Sequence, residues 1–274
     1  MQTAVTSQHA GIGSPCSARV DTDRIVAVAT ELARALFEAA QVDESHGIAH
    51  ALAVLAHAER ALAAAEPPIP TARALAVLLA ALLHDVDDRK YFPSSGLDHP
   101  NAARILANAR APSVVAADAL RMIGLVSTSA NGNAAPAYAR ASPELLWPRW
   151  SDRLEATGEI GIVRCWQYNA NVGAPLAVDG TPRPASAEEV WALATPGRFD
   201  AYQTSGGASA SMLDHYYDKL LQISRPPAHL VRNAYLEAAA EERAAPLVEV
   251  CLEYGRTGAV PLERIRRLAD ELAI

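Results

Sequence analysis

The sequence predicts an all-α protein, and three observations predict it. Half of the 274 residues are apolar while only 5% are aromatic, and Ala is abundant, which suits closely packed helices. Apolar residues recur at helical spacing in most segments, and no segment alternates as a strand would. The breaks between segments fall at clusters of Pro, Gly, Asn and Ser. There is no internal repeat. A net charge of −7 without a long basic run argues against nucleic acid as a partner. It leaves room for a small anionic substrate if positive charge is concentrated locally. Cys16, Cys165 and Cys251 are far apart and form no CxxC, which favours free thiols in a reducing compartment. No basic segment leads into an apolar one at the start, and no apolar stretch is long enough for a transmembrane helix. A cytoplasmic protein without a membrane partner is the expectation.

Residues 1–20 are rich in Ser, Thr, Gly and Ala without periodicity and read as a disordered tail. Ile25, Val28, Ala29, Leu32, Ala35 and Leu36 then mark a helix over about 22–40. Ser45 can cap a second helix carrying His46, His50, Leu52, Val54, Leu55 and His57. Pro67, Pro68 and Pro70 end it, and Thr71 is the expected N-cap of a third. Helices follow near 100–109 and 112–129. Ser142-Pro143-Glu144 reads as another helix start, and a longer helix is expected from Ser151 to about 169. Residues 169–210 are loop-rich around one short helix, AEEVWALA, as a lid or binding loop would be. SASMLDHYYDKLLQI returns to helix. Beyond Pro226 and Pro227, two or three amphipathic helices either pack on the core or mediate a homodimer.

The third helix organises the chain. Ten apolar residues, Ala74 to Leu83, run straight into His84, Asp85, Asp87 and Asp88. A helix C-terminus carries partial negative charge and ordinarily attracts cations. Three carboxylates there are either solvated at the surface or turned into ligands by a bound cation. His46 and His50 are four apart and share one helix face. A short connection makes sequential helices antiparallel, which brings the His50 turn to the His84-Asp85 turn. That provides two imidazoles and a carboxylate. Asp152, in WSDRLEATGEIG, is the candidate fourth ligand; its alternative role is to cap the helix expected there.

His50-x-x-x-Val54, His84-Asp85 and Asp152-Arg153, in this order and spacing over about residues 25–222, resemble the H…HD…D signature of the HD-domain metal-dependent phosphohydrolases. Trp150 stands where some relatives carry the first acid of DADRL. The resemblance implies an HD-domain helical bundle over 21–225, with the 169–210 insertion as a lid and 226–274 as a C-terminal extension. It implies one divalent metal held by His50, His84, Asp85 and Asp152. Two imidazoles and two carboxylates suit Mn, Fe, Co, Ni, Zn or Mg without choosing among them. It also implies that Asp88, three residues after Asp85, manages a proton in catalysis. The expected activity is hydrolysis of a phosphate ester or phosphoanhydride of a nucleotide or other small metabolite. Positive charge for that substrate can come from Lys90, Arg153, Lys219 and His46. His99 is a further substrate-binding candidate; in two-metal relatives a histidine at its place is a ligand. No second such histidine follows near 120–133, which disfavours the alternative of a di-iron oxygenase. A non-catalytic, nucleotide-sensing HD protein is the other alternative.

Overall fold

The structure, a computed structural model, describes residues 15–43, 46–95 and 98–272. Among these residues all regular structure is helical. Helices α1 (Pro15–Ala39), α2 (Ile48–Ala63) and α3 (Thr71–Leu83) lead into α4 (Pro100–Asn108) and α5 (Ser113–Val126). Two short helices, α6 (Thr128–Asn131) and α7 (Ala137–Ala141), precede a 3-10 turn, Pro143–Leu146. Then come α8 (Trp147–Glu155), α9 (Gly158–Val172), α10 (Ala187–Leu193) and α11 (Pro196–Thr204). A rod follows, made of α12 (Met212–His215), a π turn (Tyr216–Leu220) and α13 (Leu221–Ser224). Helices α14 (Ala228–Val231), α15 (Ala234–Thr257) and α16 (Leu262–Leu272) close the fold.

Helix α3 is apolar on nearly every face, so it must be central. It packs against α1, α2, α5 and α8, and Leu75 to Val77 and Leu79 to Leu83 are buried. The alanines explain how closely the helices approach: Ala51, Ala58, Ala76, Ala80 and Ala81 have no exposed surface. A second apolar cluster gathers Ile162, Val163, Phe199, Tyr216, Tyr217, Leu247 and Ile265. Helix α15 contributes Leu236 and Ala240 to the first cluster and Leu247, Val248, Val250 and Cys251 to the second. The C-terminal helices therefore pack on the core.

Several expected boundaries differ. Residues 1–14, most of the expected tail, lie outside the described residues, and α1 starts at Pro15. Ser45 also lies outside them; Gly47 precedes α2, so His46 is in the loop and not on the helix face of His50. Pro70, not Thr71, occupies the N-cap position of α3. The single helix expected from Ser151 to about 169 is two helices. Pro148 starts α8 upstream, and Gly158, at φ 71°, turns the chain in a conformation that favours glycine. Asp152 therefore lies inside α8 and does not cap it. The insertion also holds α11, signalled by Thr195, whose hydroxyl accepts from the Arg198 amide, and by Pro196 at the first position.

Candidate metal centre

His50 comes from the first turn of α2, His84 from the residue that ends α3, Asp85 from the next residue and Asp152 from the middle of α8. The packing of α2 against both α3 and α8 brings them together. His50 Nε2 lies 3.2 Å from His84 Nε2. Asp85 Oδ2 is 3.6 Å from His50 Nε2 and 3.3 Å from His84 Nε2. Asp152 Oδ1 is 3.3 Å and 3.5 Å from the same two nitrogens. Metal–ligand bonds of about 2.0–2.2 Å space neighbouring ligand atoms by roughly 3.0–3.5 Å.

The residues present fit a cation. His84 Nδ1 donates to the Ala81 carbonyl at 2.8 Å, which commits that nitrogen and turns Nε2 towards the other three side chains. Two imidazole Nε2 atoms in close contact, flanked by two carboxylates, form a concentrated donor set. Burial opposes charge on His84, and Asp85 and Asp152 outweigh it, so its pKa is raised well above the ordinary value. Burial would raise the Asp152 carboxyl, but hydrogen bonds and charge from His50 and His84 hold it far below the usual range. Asp85 is likewise lowered, chiefly by His84 acting against burial. Among the described residues, His50, His84 and Asp85 form a group able to hold a metal ion, with Asp152 against both imidazoles. His99 is not in that group.

The other acids after α3 separate in role. Asp87 is buried and accepts from Ser95 Oγ at 2.7 Å and from the amides of Asn101 and Ala102 at 3.1 and 2.9 Å. It thus caps α4, at the positive end of that helix. Asp88 is half-buried; its amide donates to Asp85 O at 3.0 Å and its Oδ1 accepts from the Lys90 amide at 2.9 Å.

The expected substrate-binding side chains scatter. Lys90 Nζ lies 3.1 Å from Asp43 Oδ2, at the exposed α1–α2 loop, and Tyr91 OH bonds the same carboxylate. His46 Nδ1 is 3.4 Å from Asp43 Oδ1, and its ring centre is 6.4 Å from that of His50. Arg153 is buried: its guanidinium donates to Asn133 Oδ1 at 2.7 Å and to Gly132 O, and stacks over Trp150. Those bonds commit its terminal nitrogens within the protein. His99 precedes α4 at φ 48° and lines a cavity of about 550 Å³ with Arg121, Asn131 and Tyr138, none of which belongs to the metal-ligand set. Lys219, in the π turn, is half-buried with its ammonium 6.0 Å over the Tyr202 ring.

Two features had no local signal in the sequence. Arg164, on α9, reaches back to donate to Glu155 O at 3.1 Å. It lies within the electrostatic reach of Asp152, Asp43 and Asp85. A buried network also joins α2, α8 and α15. His57 Nε2 is 2.9 Å from Glu155 Oε1, His57 Nδ1 is 2.5 Å from Tyr235 OH, and Arg243 donates to Glu155 at 3.0 Å and to Leu154 O at 2.6 Å.

No family model matches the chain. It is 36% identical over 224 residues to the uncharacterized protein L803 of Acanthamoeba polyphaga mimivirus, covering 76% of this chain and 88% of that one. Its fold resembles a crystal structure from Lactobacillus plantarum at TM-score 0.55 and 21% identity, over 86% of this chain and 95% of that one. It resembles an HD-superfamily hydrolase from Bacillus thuringiensis at TM-score 0.55 and 18% identity, over 86% and 96% respectively. The Lin1889 protein of Listeria innocua aligns at TM-score 0.53 and 18% identity, over 85% and 94%. Among the described residues, no helix is long and apolar enough to cross a membrane.

Proposed function

We propose that this chain, which belongs to the same family as the mimivirus protein L803 and has the HD-superfamily fold, is a metal-dependent phosphohydrolase. Its substrate would be a phosphate ester or phosphoanhydride of a nucleotide or other small metabolite. The observation that carries this reading is the meeting of His50, His84, Asp85 and Asp152, with donor contacts of 3.2–3.6 Å among them. These residues would hold one divalent ion. When bound, such an ion activates water near neutral pH and polarises a phosphoryl oxygen.

The chain's own groups have separate tasks. The Ala81 carbonyl commits His84 Nδ1 as a donor, so Nε2 is the nitrogen that a metal would take, in exchange for its proton. The Lys90 amide holds Asp88 Oδ1, which orients the carboxylate and leaves Oδ2 to take a proton from the attacking water. Asp87 stays out of the chemistry because three donors from the α4 entry occupy it. The Asp43 cluster with Lys90, Tyr91 and His46 would form one wall of the entrance, beside His50.

The test is metal content per chain in the purified protein, followed by phosphate release over a panel of phosphorylated metabolites. About one transition metal per chain and released phosphate are expected, and His84→Ala and Asp85→Ala should abolish both. Full activity in both variants overturns the assignment. Two irons per chain with oxygen consumption would favour an oxygenase, and ligand binding without turnover across the panel a sensor.

A further inference from the structure

The cavity of about 550 Å³ beside His99 is lined by none of the four metal-ligand candidates. Its volume suits a small organic molecule and exceeds what a bare ion needs. His99 enters it from the start of α4, with Nε2 3.6 Å from where a Cβ on Gly124 of α5 would stand. Among the described residues neither ring nitrogen of His99 has a hydrogen-bond partner. Its backbone is held at φ 48°, a left-handed conformation that is uncommon outside glycine and clusters at functional sites. Arg121, from α5, lies over the Tyr138 ring at 5.9 Å. Its ion pair with Asp118 is 3.7 Å long, and Asp118 is held more closely by Arg73, at 3.2 Å. Tyr138 is 48% exposed, so its ring is open to a ligand. Leu120, Leu125 and Pro136 supply an apolar wall. An imidazole, a guanidinium on a phenol ring and an apolar wall together select a flat ring that bears an anion. Asp98, exposed at the same cavity, calls for a hydrogen-bond donor on that ligand besides its anion.

The wall is fastened to the helix of Asp152. Leu125, Asn131 and Pro136 line the cavity, and the same stretch of chain accepts from two arginines of α8. Arg149 Nε donates to Leu125 O at 2.6 Å, and its Nη1 to Ala134 O at 2.8 Å. Arg153 donates to Gly132 O and, at 2.7 Å, to Asn133 Oδ1. Both guanidiniums lie over Trp150, at 5.5 and 4.8 Å. Both are buried, and among the described residues neither has a carboxylate within ion-pair distance. Arg149 Nη2 has no hydrogen-bond partner among them either. Buried charges without a counterion are costly, and an anion in the cavity beside them offsets part of that cost.

We propose that this cavity is a second binding site, for a small flat-ring molecule bearing a carboxylate or a phosphate, and that its occupancy is transmitted through residues 131–134 and Arg153 to the helix that carries Asp152. An occupied cavity holds Asn131 and its neighbours still. The Asn133–Arg153 bond then steadies α8, and Asp152 keeps its place against His50 and His84. A ligand in the cavity thereby tightens metal binding, and by reciprocity the metal tightens the ligand.

The experiment uses the full-length protein, metal-loaded and chelator-treated, with adenosine monophosphate and 4-aminobenzoate as probes and calorimetry as the readout. Adenosine and aniline are the same rings without the anions. At least one probe should bind once per chain in the chelator-treated protein, with its uncharged control about 10-fold or more weaker; which probe binds separates a phosphate ligand from a carboxylate. Arg121→Gln should weaken binding about 10-fold and Tyr138→Ala about 3- to 10-fold. Both side chains are exposed, so both variants should melt within about 2 °C of the parent. Binding should slow amide exchange in α8 as well as in residues 131–136. In Asn133→Ala the probe should still bind, and exchange should slow in 131–136 alone. In the metal-loaded protein, metal affinity should rise about fivefold or more when the probe is bound. Failure of both probes to bind, or parent-like affinity in Arg121→Gln and Tyr138→Ala, overturns the site. Unchanged exchange in α8, or unchanged metal affinity in a protein that holds metal, overturns the transmission. A protein that takes no metal counts instead against the phosphohydrolase reading, and probe binding and exchange in α8 still judge the cavity.

Discussion

Asp87 and Asp88 are neighbours with the same side chain, and the structure predicts opposite consequences of altering them. In Asp87→Ala the amides of Asn101 and Ala102 and the hydroxyl of Ser95 lose their acceptor. Loss of a helix cap costs about 1 kcal/mol. Each buried donor left without a partner adds about 1–3 kcal/mol, less where water can enter. Asp87 is 8% exposed and Ser95 4%, so water repairs little on that side. A net loss of about 3 kcal/mol follows, which at roughly 2–4 °C per kcal/mol lowers the melting temperature by about 6–12 °C. Asp88→Asn removes no buried contact of this kind; the amide oxygen can still accept from Lys90 N, and stability should stay within about 0.5 kcal/mol of the parent. Turnover should show the reverse order, with Asp88→Asn losing at least about 100-fold if it handles a proton. The assay is thermal and urea unfolding beside phosphate release at a temperature where every variant is folded. Parent-like stability of Asp87→Ala, or an Asp88 variant more damaged in stability than the Asp87 variant, would refute the division of labour.

Two further outcomes follow from the packing of α15. Glu155→Gln leaves Arg243 and His57 without their buried carboxylate and should cost about 3 kcal/mol in urea unfolding. Burial would raise the Glu155 carboxyl, but the His57 hydrogen bond and Arg243 hold its pKa below 4.5. A depressed folded pKa stabilises above the unfolded value and is lost as pH falls, so the parent should lose stability faster below about pH 4.5 than Glu155→Gln does; equal slopes in melting temperature against pH would exclude this. Gly255→Ala would place a Cβ 2.0 Å from Pro184 O. That overlap cannot be absorbed by a side-chain rotation, so about 2 kcal/mol should be lost and amide exchange should rise across residues 181–187; unchanged exchange there would show that α15 does not clamp the insertion.

The meeting of His50, His84, Asp85 and Asp152 was legible because each part has a local signature. An apolar helix ending in His84-Asp85 breaks the usual charge preference of a helix end, and a short link makes its neighbour antiparallel. The structure adds that part of that conflict is met without a cation: Asp87 is satisfied by the positive end of α4. The partners of the basic residues were not legible, because whether a charge is paired depends on residues distant in sequence. Lys90 meets Asp43 across 47 residues, and Arg153 meets the chain at 132 and 133. Arg164 looks like any helix arginine until Gly158 turns α9 back towards α8. The helix boundary near Asp152 was misplaced for a simpler reason, since Pro148 is the stronger start signal and Ser151 only resembles a cap.

The buried network explains why the C-terminal helices belong with the candidate metal site. Helices α2 and α8 meet at His50 and Asp152, and a single contact between two helices leaves them free to roll about it. His57 and Glu155 make a second contact, two turns further along α2 and about one turn along α8, which removes that freedom. Arg243 and Tyr235 of α15 then hold both members of the second contact, and Arg243 also holds the Leu154 carbonyl. The C-terminal end of α8 is thereby fixed from outside the four-residue signature, and the same end carries Arg164 through Glu155 O. Placement of Asp152 thus depends on one rigid turn, so disturbance of α15 should lower metal affinity, measured as metal content per chain.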